Sequence, residues 1–205
     1  MRGLSVVLFL VSLCLTSALE KRYVSANGIF AGRRNYDALT VSNGGSWGYW
    51  TWIDMCPEQT YAIGFSLKVE EYREASDDTS VNGIRLFCSG NHTGSIMFTV
   101  ESDVEQYGHW TGIRWCPKDG ILIAFQLKVE PPQGAIDDTA VNNIKFRCSN
   151  GGVLEGEGGE FGSYDAWSNS CTKGGICGIQ TKQETYGGIF VDDTALNDAR
   201  LFCCE

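Results

Sequence analysis

The sequence predicts an all-β chain built from three copies of one unit around a shared core. The first observation is a repeat. Asp-Asp-Thr starts at Asp77, Asp137 and Asp192, 60 and 55 residues apart, and a cysteine (Cys88, Cys148, Cys203) follows nine residues after each threonine. The second is periodicity. Phe65, Leu67 and Val69 alternate with Ser66, Lys68 and Glu70, and Ile84, Leu86 and Cys88 alternate with Arg85 and Phe87. A period of two is that of a strand with one buried face. The third is punctuation: "SNGGS", "SNGGVLEGEGGE" and "TKGG" divide the strands, and no stretch keeps a helical stripe.

Taken in chain order, Arg2 and the apolar run Leu4 to Leu15, ending in small residues, read as a secretory leader cut after Ala18. The run is too short to span a bilayer, and no later segment resembles a transmembrane span. Residues 19–35 form an N-terminal segment whose "EKR" reads as a solvated charge run or a dibasic processing site. A single domain follows over 36–205, with repeats 36–90, 91–150 and 151–205. Each opens on an aromatic-glycine segment: "GSWGYWTWIDMC", "QYGHWTGIRWC" and "FGSYDAWSNSC". Each continues through a strand ("GFSLKVE", "AFQLKVE", "GIQTKQE"), the Asp-Asp-Thr triplet, and a last strand ending in cysteine. Units of 55 to 60 residues are too small to bury separate cores, so they share one.

Nine cysteines include Cys14 of the leader. The remaining eight predict four disulfides in an exported chain. Cys56 and Cys88, Cys116 and Cys148, and Cys171 and Cys203 are each 32 residues apart, which pairs them by repeat and leaves Cys177 with Cys204. Cys203 and Cys204 are adjacent, so exchange of their two partners stays open. No C-x-x-C occurs and His92 and His109 are the two histidines, which argues against zinc; no D-x-D-x-D-G loop favours calcium. We expect no metal and no cofactor. The net charge of −9 becomes −10 without Arg2. An acidic chain lacks the basic footprint that nucleic acid requires.

The aromatic-glycine, "SLKVE"-like and "DDTALN" segments, with the ending "ALNDARLFCC", resemble the vitelline membrane outer layer family from about Tyr36 to Glu205. The resemblance implies a β-prism I-like fold: three Greek-key, four-stranded antiparallel sheets with pseudo-threefold symmetry. It also implies a place in the outer layer of the bird egg's vitelline membrane, which helps keep yolk and white apart. A lysozyme-like transferase activity related to chitooligosaccharides is linked to the family, but its catalytic residues do not carry over to this sequence.

Candidate site residues come from three groups. The paired aspartates point to opposite sides of an extended backbone, which suits a turn better than an acid and nucleophile couple. Glu70, Glu130 and Glu184 recur after the "LKVE"-type strands, where three strands can bring distant carboxylates to one cleft. A ladder of Lys68, Glu70 and their equivalents with Arg85, Lys145 or Arg200 is the structural alternative. Trp50, Trp110 and Trp167, with Trp47, Trp52 and Trp115, suit sugar rings; their matching positions point to packing at the ends of the fold, and any exposed ones become the first ligand candidates. "NHT" makes Asn91 an N-glycosylation candidate. No nucleophile elbow, phosphate loop or dinucleotide motif occurs. The expected function is a secreted component of an extracellular egg coat or mucous secretion, in contact with coat glycoproteins or oligosaccharides. The alternatives are an enzyme on N-acetylglucosamine oligomers and a lectin.

Overall fold

The computed structural model describes residues 22–25, 36–70, 80–90, 96–131, 141–184 and 195–205. The Asp-Asp-Thr triplets, Asn91 and the leader lie outside these residues. The strands are β1 (Arg22–Ser25), β2 (Tyr36–Leu39), β3 (Tyr49–Trp50), β4 (Asp54–Met55), β5 (Tyr61–Val69) and β6 (Val81–Ser89). They continue as β7 (Ile96–Glu101), β8 (His109–Trp110), β9 (Arg114–Trp115), β10 (Leu122–Val129) and β11 (Val141–Cys148). The last are β12 (Val153–Glu155), β13 (Ser163–Tyr164), β14 (Gly175–Gln183) and β15 (Leu196–Cys204).

Three sheets result. The first has the order β7-β6-β5-β8, with β9 continuing the line of β8 along β5 and β1 added parallel to β7. The second is β12-β11-β10-β13. The third is β2-β15-β14-β3, with β4 continuing β3 along β14. In each, a central hairpin is flanked by the next strand on one side and by the one after it on the other, a Greek key. Counting each broken edge as one strand gives the expected three four-stranded antiparallel sheets, a β-prism.

The sheets and the sequence repeats are out of phase. The hairpin of each repeat is completed by the opening segment of the following repeat. The third sheet has no following repeat and is closed by β2, β3 and β4 from the first. A disulfide therefore links each pair of sheets. Cys56–Cys88 joins the third to the first, Cys116–Cys148 the first to the second, and Cys171–Cys203 the second to the third. Cys177–Cys204 lies within the third sheet, between β14 and β15.

The inward residues meet in one core. Phe65, Phe125 and Phe146 are fully buried, and the Phe65 and Phe146 rings from two sheets are 4.7 Å apart between centroids. Ile179 and Leu201 bring the third sheet into the same cluster. Two bulges recur in every hairpin. Ile63, Ile123 and Cys177 are the extra residues of the first bulge, and Asn82, Asn142 and Asn197 those of the second. The second bulge turns a buried asparagine into each hairpin. Its carbonyl accepts a loop N–H: Glu105 N–H to Asn82 at 3.0 Å, Gly159 N–H to Asn142 at 2.7 Å, and Gly45 N–H to Asn197 at 2.6 Å. These bonds anchor the loops that carry the aromatic-glycine segments.

Candidate functional site: the outer faces of the sheets

The lysines of the "LKVE"-type strands point outward, toward the loop before each aromatic segment. Lys68 Nζ donates to Glu105 O at 2.5 Å, Lys128 Nζ to Glu160 O at 2.6 Å, and Lys182 Nζ to Ser46 O at 2.6 Å. Each lysine is paired in register with an aromatic residue: Lys68 with Trp110, Lys128 with Tyr164, Lys182 with Trp50. A cation from the neighbouring strand of the hairpin lies over each ring. Arg85 is 3.9 Å from the Trp110 centroid, Lys145 Nζ is 3.9 Å from that of Tyr164, and Arg200 is 3.7 Å from that of Trp50. Cation-on-ring stacking of this kind holds both partners flat against the sheet.

Acids complete the motif on two of the three faces. Arg85 Nε donates to Glu101 at 2.8 Å, and Lys145 reaches Glu155 at 3.5 Å. Glu155 also accepts from the Tyr164 hydroxyl at 3.0 Å. Burial first, and then that bond and charge, push the Tyr164 hydroxyl well above the ordinary phenol range. The expected charge ladder thus exists with different members. Arg85 and Lys145 pair with glutamates of the adjacent edge strands, while the strand lysines bind loop carbonyls.

The tryptophans expected to pack at the ends of the fold lie instead on the outer faces. Trp50 and Trp110 sit half-buried beneath arginines, and Trp167 lies beneath Arg147 at 4.6 Å. Trp167 is not the register equivalent of the other two; that place belongs to Tyr164. Among the described residues, the rings most open to solvent belong to one short segment that lies against the third sheet: Trp47 is 57% exposed, Tyr49 83% and Trp52 53%. Thr51 between them turns inward, meeting Ser102 Oγ at 2.6 Å and Thr181 O at 3.0 Å. The segment is thus pinned by its inner residue, with Trp50 and Trp52 toward the outer face and Tyr49 exposed at the edge of the sheet.

Glu70, Glu130 and Glu184 end their strands at equivalent points and are half-buried. The Glu70 N–H bonds to Ser80 O at 2.9 Å and the Glu184 N–H to Ala195 O at 2.8 Å, closing the hairpins. An open groove of about 650 Å³ lies elsewhere, between β2 and the loop from Asn169 to Lys173, and includes none of the three glutamates. Cys171 and Cys203 form part of its wall, and Lys173 pairs with Glu205 at 3.3 Å. Asn82, Asn197 and Tyr49 were not singled out in the sequence. The asparagines Asn82, Asn142 and Asn197 were signalled by their constant spacing after each Asp-Asp-Thr. Tyr49 carried no signal apart from its place between two tryptophans.

A family model described as "Vitelline membrane outer layer protein I (VOMI)" matches residues 37–205. The chain belongs to the vitelline membrane outer layer protein I family. Its relatives include the mouse (Mus musculus) vitelline membrane outer layer protein 1 homolog, 49% identical over 167 residues, 81% of this chain and 82% of that protein. The human (Homo sapiens) homolog is 47% identical over 176 residues, 85% of this chain and 86% of that protein. Among solved structures, this chain's fold resembles a mannose-binding lectin from champedak, with TM-score 0.50 and 14% identity over 82% of this chain and 98% of that one. A Calsepa lectin in complex with a bisected glycan gives TM-score 0.54 and 10% identity over 84% and 99%. At such identities the likeness is one of fold.

Proposed function

We propose that this protein is a secreted, non-enzymatic component of an extracellular coat or mucous secretion that contacts oligosaccharides or coat glycoproteins. The observation that carries the proposal is the cluster of Trp47, Tyr49 and Trp52, three large aromatic side chains more than half exposed within six residues. Clustered exposed aromatics on a rigid sheet mark an interaction surface. The C–H faces of a sugar ring pack on an aromatic face while its hydroxyls bond to polar neighbours. Here Gln180 and Lys182 lie alongside on β14. The reading includes a leader through Ala18, an N-terminal segment over 19–35, one domain over 36–205 and a glycan on Asn91. The four disulfides support an oxidising, extracellular compartment. The family's name supports a coat.

A glycan array probed with the purified protein, alongside capture of partners from coat extract, tests the reading. Binding in either assay that weakens about thirtyfold in a Trp47→Ala/Trp52→Ala variant is expected, since stacked aromatics contribute about 1 kcal/mol each. Blank results in both would reject it. Chitohexaose incubated with the protein is expected to be recovered intact by mass, while a lysozyme control cleaves it.

A further inference from the structure

The outer faces of the three sheets serve as internal controls for one another, and the third differs at three points. First, Trp52 projects where the first sheet has Gly112 and the second Ala166. Second, Tyr49, which alternates with Trp50 and is exposed at the edge of this face, stands where they have His109 and Ser163, by the registers that align Trp50 with Trp110 and Tyr164. Third, Arg200 lacks the acid its counterparts have. Arg85 faces Glu101 and Lys145 faces Glu155 in register. The pairing of Leu201 with Leu39 places Thr40 opposite Arg200. Among the described residues, no carboxylate lies within ion-pair distance of Arg200.

Two other charges lie near Arg200: Lys182, which is committed elsewhere, and Asp198, whose carboxylate feels the charge of Arg200 without forming an ion pair with it. Lys182 Nζ is held by Gly45 O at 3.2 Å and Ser46 O at 2.6 Å. Asp198 Oδ1 accepts the Ala199 N–H at 2.8 Å, and Gly44 packs directly over its carboxyl group. Stacking on Trp50 fixes the plane of the Arg200 guanidinium and leaves its N–H edge free to form the two parallel bonds that a planar anion accepts. It also covers the outer face of Trp50, so the open stacking surface is Trp52. Two residues along an extended chain is roughly 6–7 Å, about the width of one sugar ring.

We propose that this face binds an anionic oligosaccharide, with a sugar ring stacked on Trp52 and its carboxylate or sulfate received by Arg200. The proposal rests on the glycan-contact reading above and adds the charge of the ligand. In a chain of net charge −9, one guanidinium without an acid partner beside exposed aromatics complements an anion.

The test is biosensor binding of 3'-sialyllactose, 3'-sulfolactose and lactose to the full-length secreted protein. At low salt at least one acidic sugar should bind about tenfold more tightly than lactose, and the gap should narrow as salt rises. Arg200→Gln should abolish the preference. Thr40→Glu, which installs the partner the other sheets carry, should abolish it too. Trp52→Gly, copying Gly112, should weaken every sugar that binds. Unchanged melting temperatures would show that the variants remain folded. Equal binding of all three sugars would overturn the charge inference and leave the glycan reading standing. A preference that survives both Arg200→Gln and Thr40→Glu would overturn it as well. Failure of all three sugars to bind would also overturn it, and the broad array then decides the glycan reading independently.

Discussion

Asn143 in the second sheet donates its amide to Gly156 O at 2.9 Å and accepts the Ile144 N–H at 2.8 Å. Asp198 holds the same place in the third sheet. Its Oδ1 accepts the Ala199 N–H at 2.8 Å, but an ionised carboxylate has no proton to donate. A Cβ on Gly44 would fall 2.1 Å from the Asp198 carboxyl carbon, so backbone covers the group closely. Burial raises its pKa from 3.8 to about 6, against the lowering effects of the Ala199 N–H, Lys182 and Arg200. Because the folded value is the higher one, the folded protein binds more protons between about pH 4 and pH 6. The associated stability is fully present below about pH 4 and is lost as pH rises through about 6. Asp198→Asn supplies the amide that the second sheet uses. After discounting for the solvent that still reaches the side chain, it should stabilise the protein by about 1–2 kcal/mol at pH 7 and by little at pH 4. Thermal unfolding across that range checks the prediction; a variant no more stable than the parent at pH 7 would contradict it.

At the scale of the element, the aromatic-glycine segments owe their course to Gly48, Gly108 and Gly162, with φ of 76°, 79° and 73°. Each crosses directly over the end of a central strand. A Cβ at Gly108 would lie 2.4 Å from the Val69 carbonyl, with 2.2 Å at Gly48 to Gln183 O and 2.3 Å at Gly162 to Val129 O. Backbone atoms cannot move aside as a side chain can. Gly108→Ala should therefore cost about 2–4 kcal/mol by urea unfolding, combining left-handed strain with overpacking. Gly112→Ala, with nothing nearer than the Glu157 carboxylate oxygens at 4.0 Å, should cost less than about 1 kcal/mol. Equal losses in the two variants would refute this account. The repeating glycine was visible in the sequence, as were the six long strands, because each alternates on its own. What was not visible is which strands join which sheet. Pairing of β5 with β8 and β9, or of β14 with β3 and β4, depends on distant partners rather than local pattern. The bulges at Asn82, Asn142 and Asn197 were hidden too, since one extra residue interrupts the alternation that period-two reasoning follows. The outer-face stacks escaped for a related reason. Trp50 and Arg200 are far apart in sequence, and a tryptophan under an arginine has the same sequence signature as one in a core.

At the scale of the molecule, the out-of-phase sheets make the ring of disulfides more than a count of crosslinks. Cys56–Cys88 spans 32 residues and Cys177–Cys204 spans 27. Loop-closure entropy alone assigns both about 3–4 kcal/mol, so global stability should fall by similar amounts when either is removed. Their places in the architecture differ. Cys177–Cys204 ties neighbouring strands that ladder hydrogen bonds already join. Cys56–Cys88 ties the segment that closes the third sheet to the first sheet, alongside Asp54. That carboxylate is fully buried, with its oxygens accepting the Met55 N–H at 3.1 Å and the Glu101 N–H at 3.0 Å. Loss of Cys56–Cys88 should therefore free β3 and β4 to open as a unit without unfolding the rest, a sub-global motion that hydrogen exchange detects. In Cys56→Ser/Cys88→Ser, the amides of Met55 and Thr51 should exchange at least about tenfold faster relative to the core amides of β10 and β11. In Cys177→Ala/Cys204→Ala the same ratio should stay near that of the parent. If both variants accelerate exchange uniformly, the three sheets open together and the inter-sheet disulfides have no special place in closing the prism.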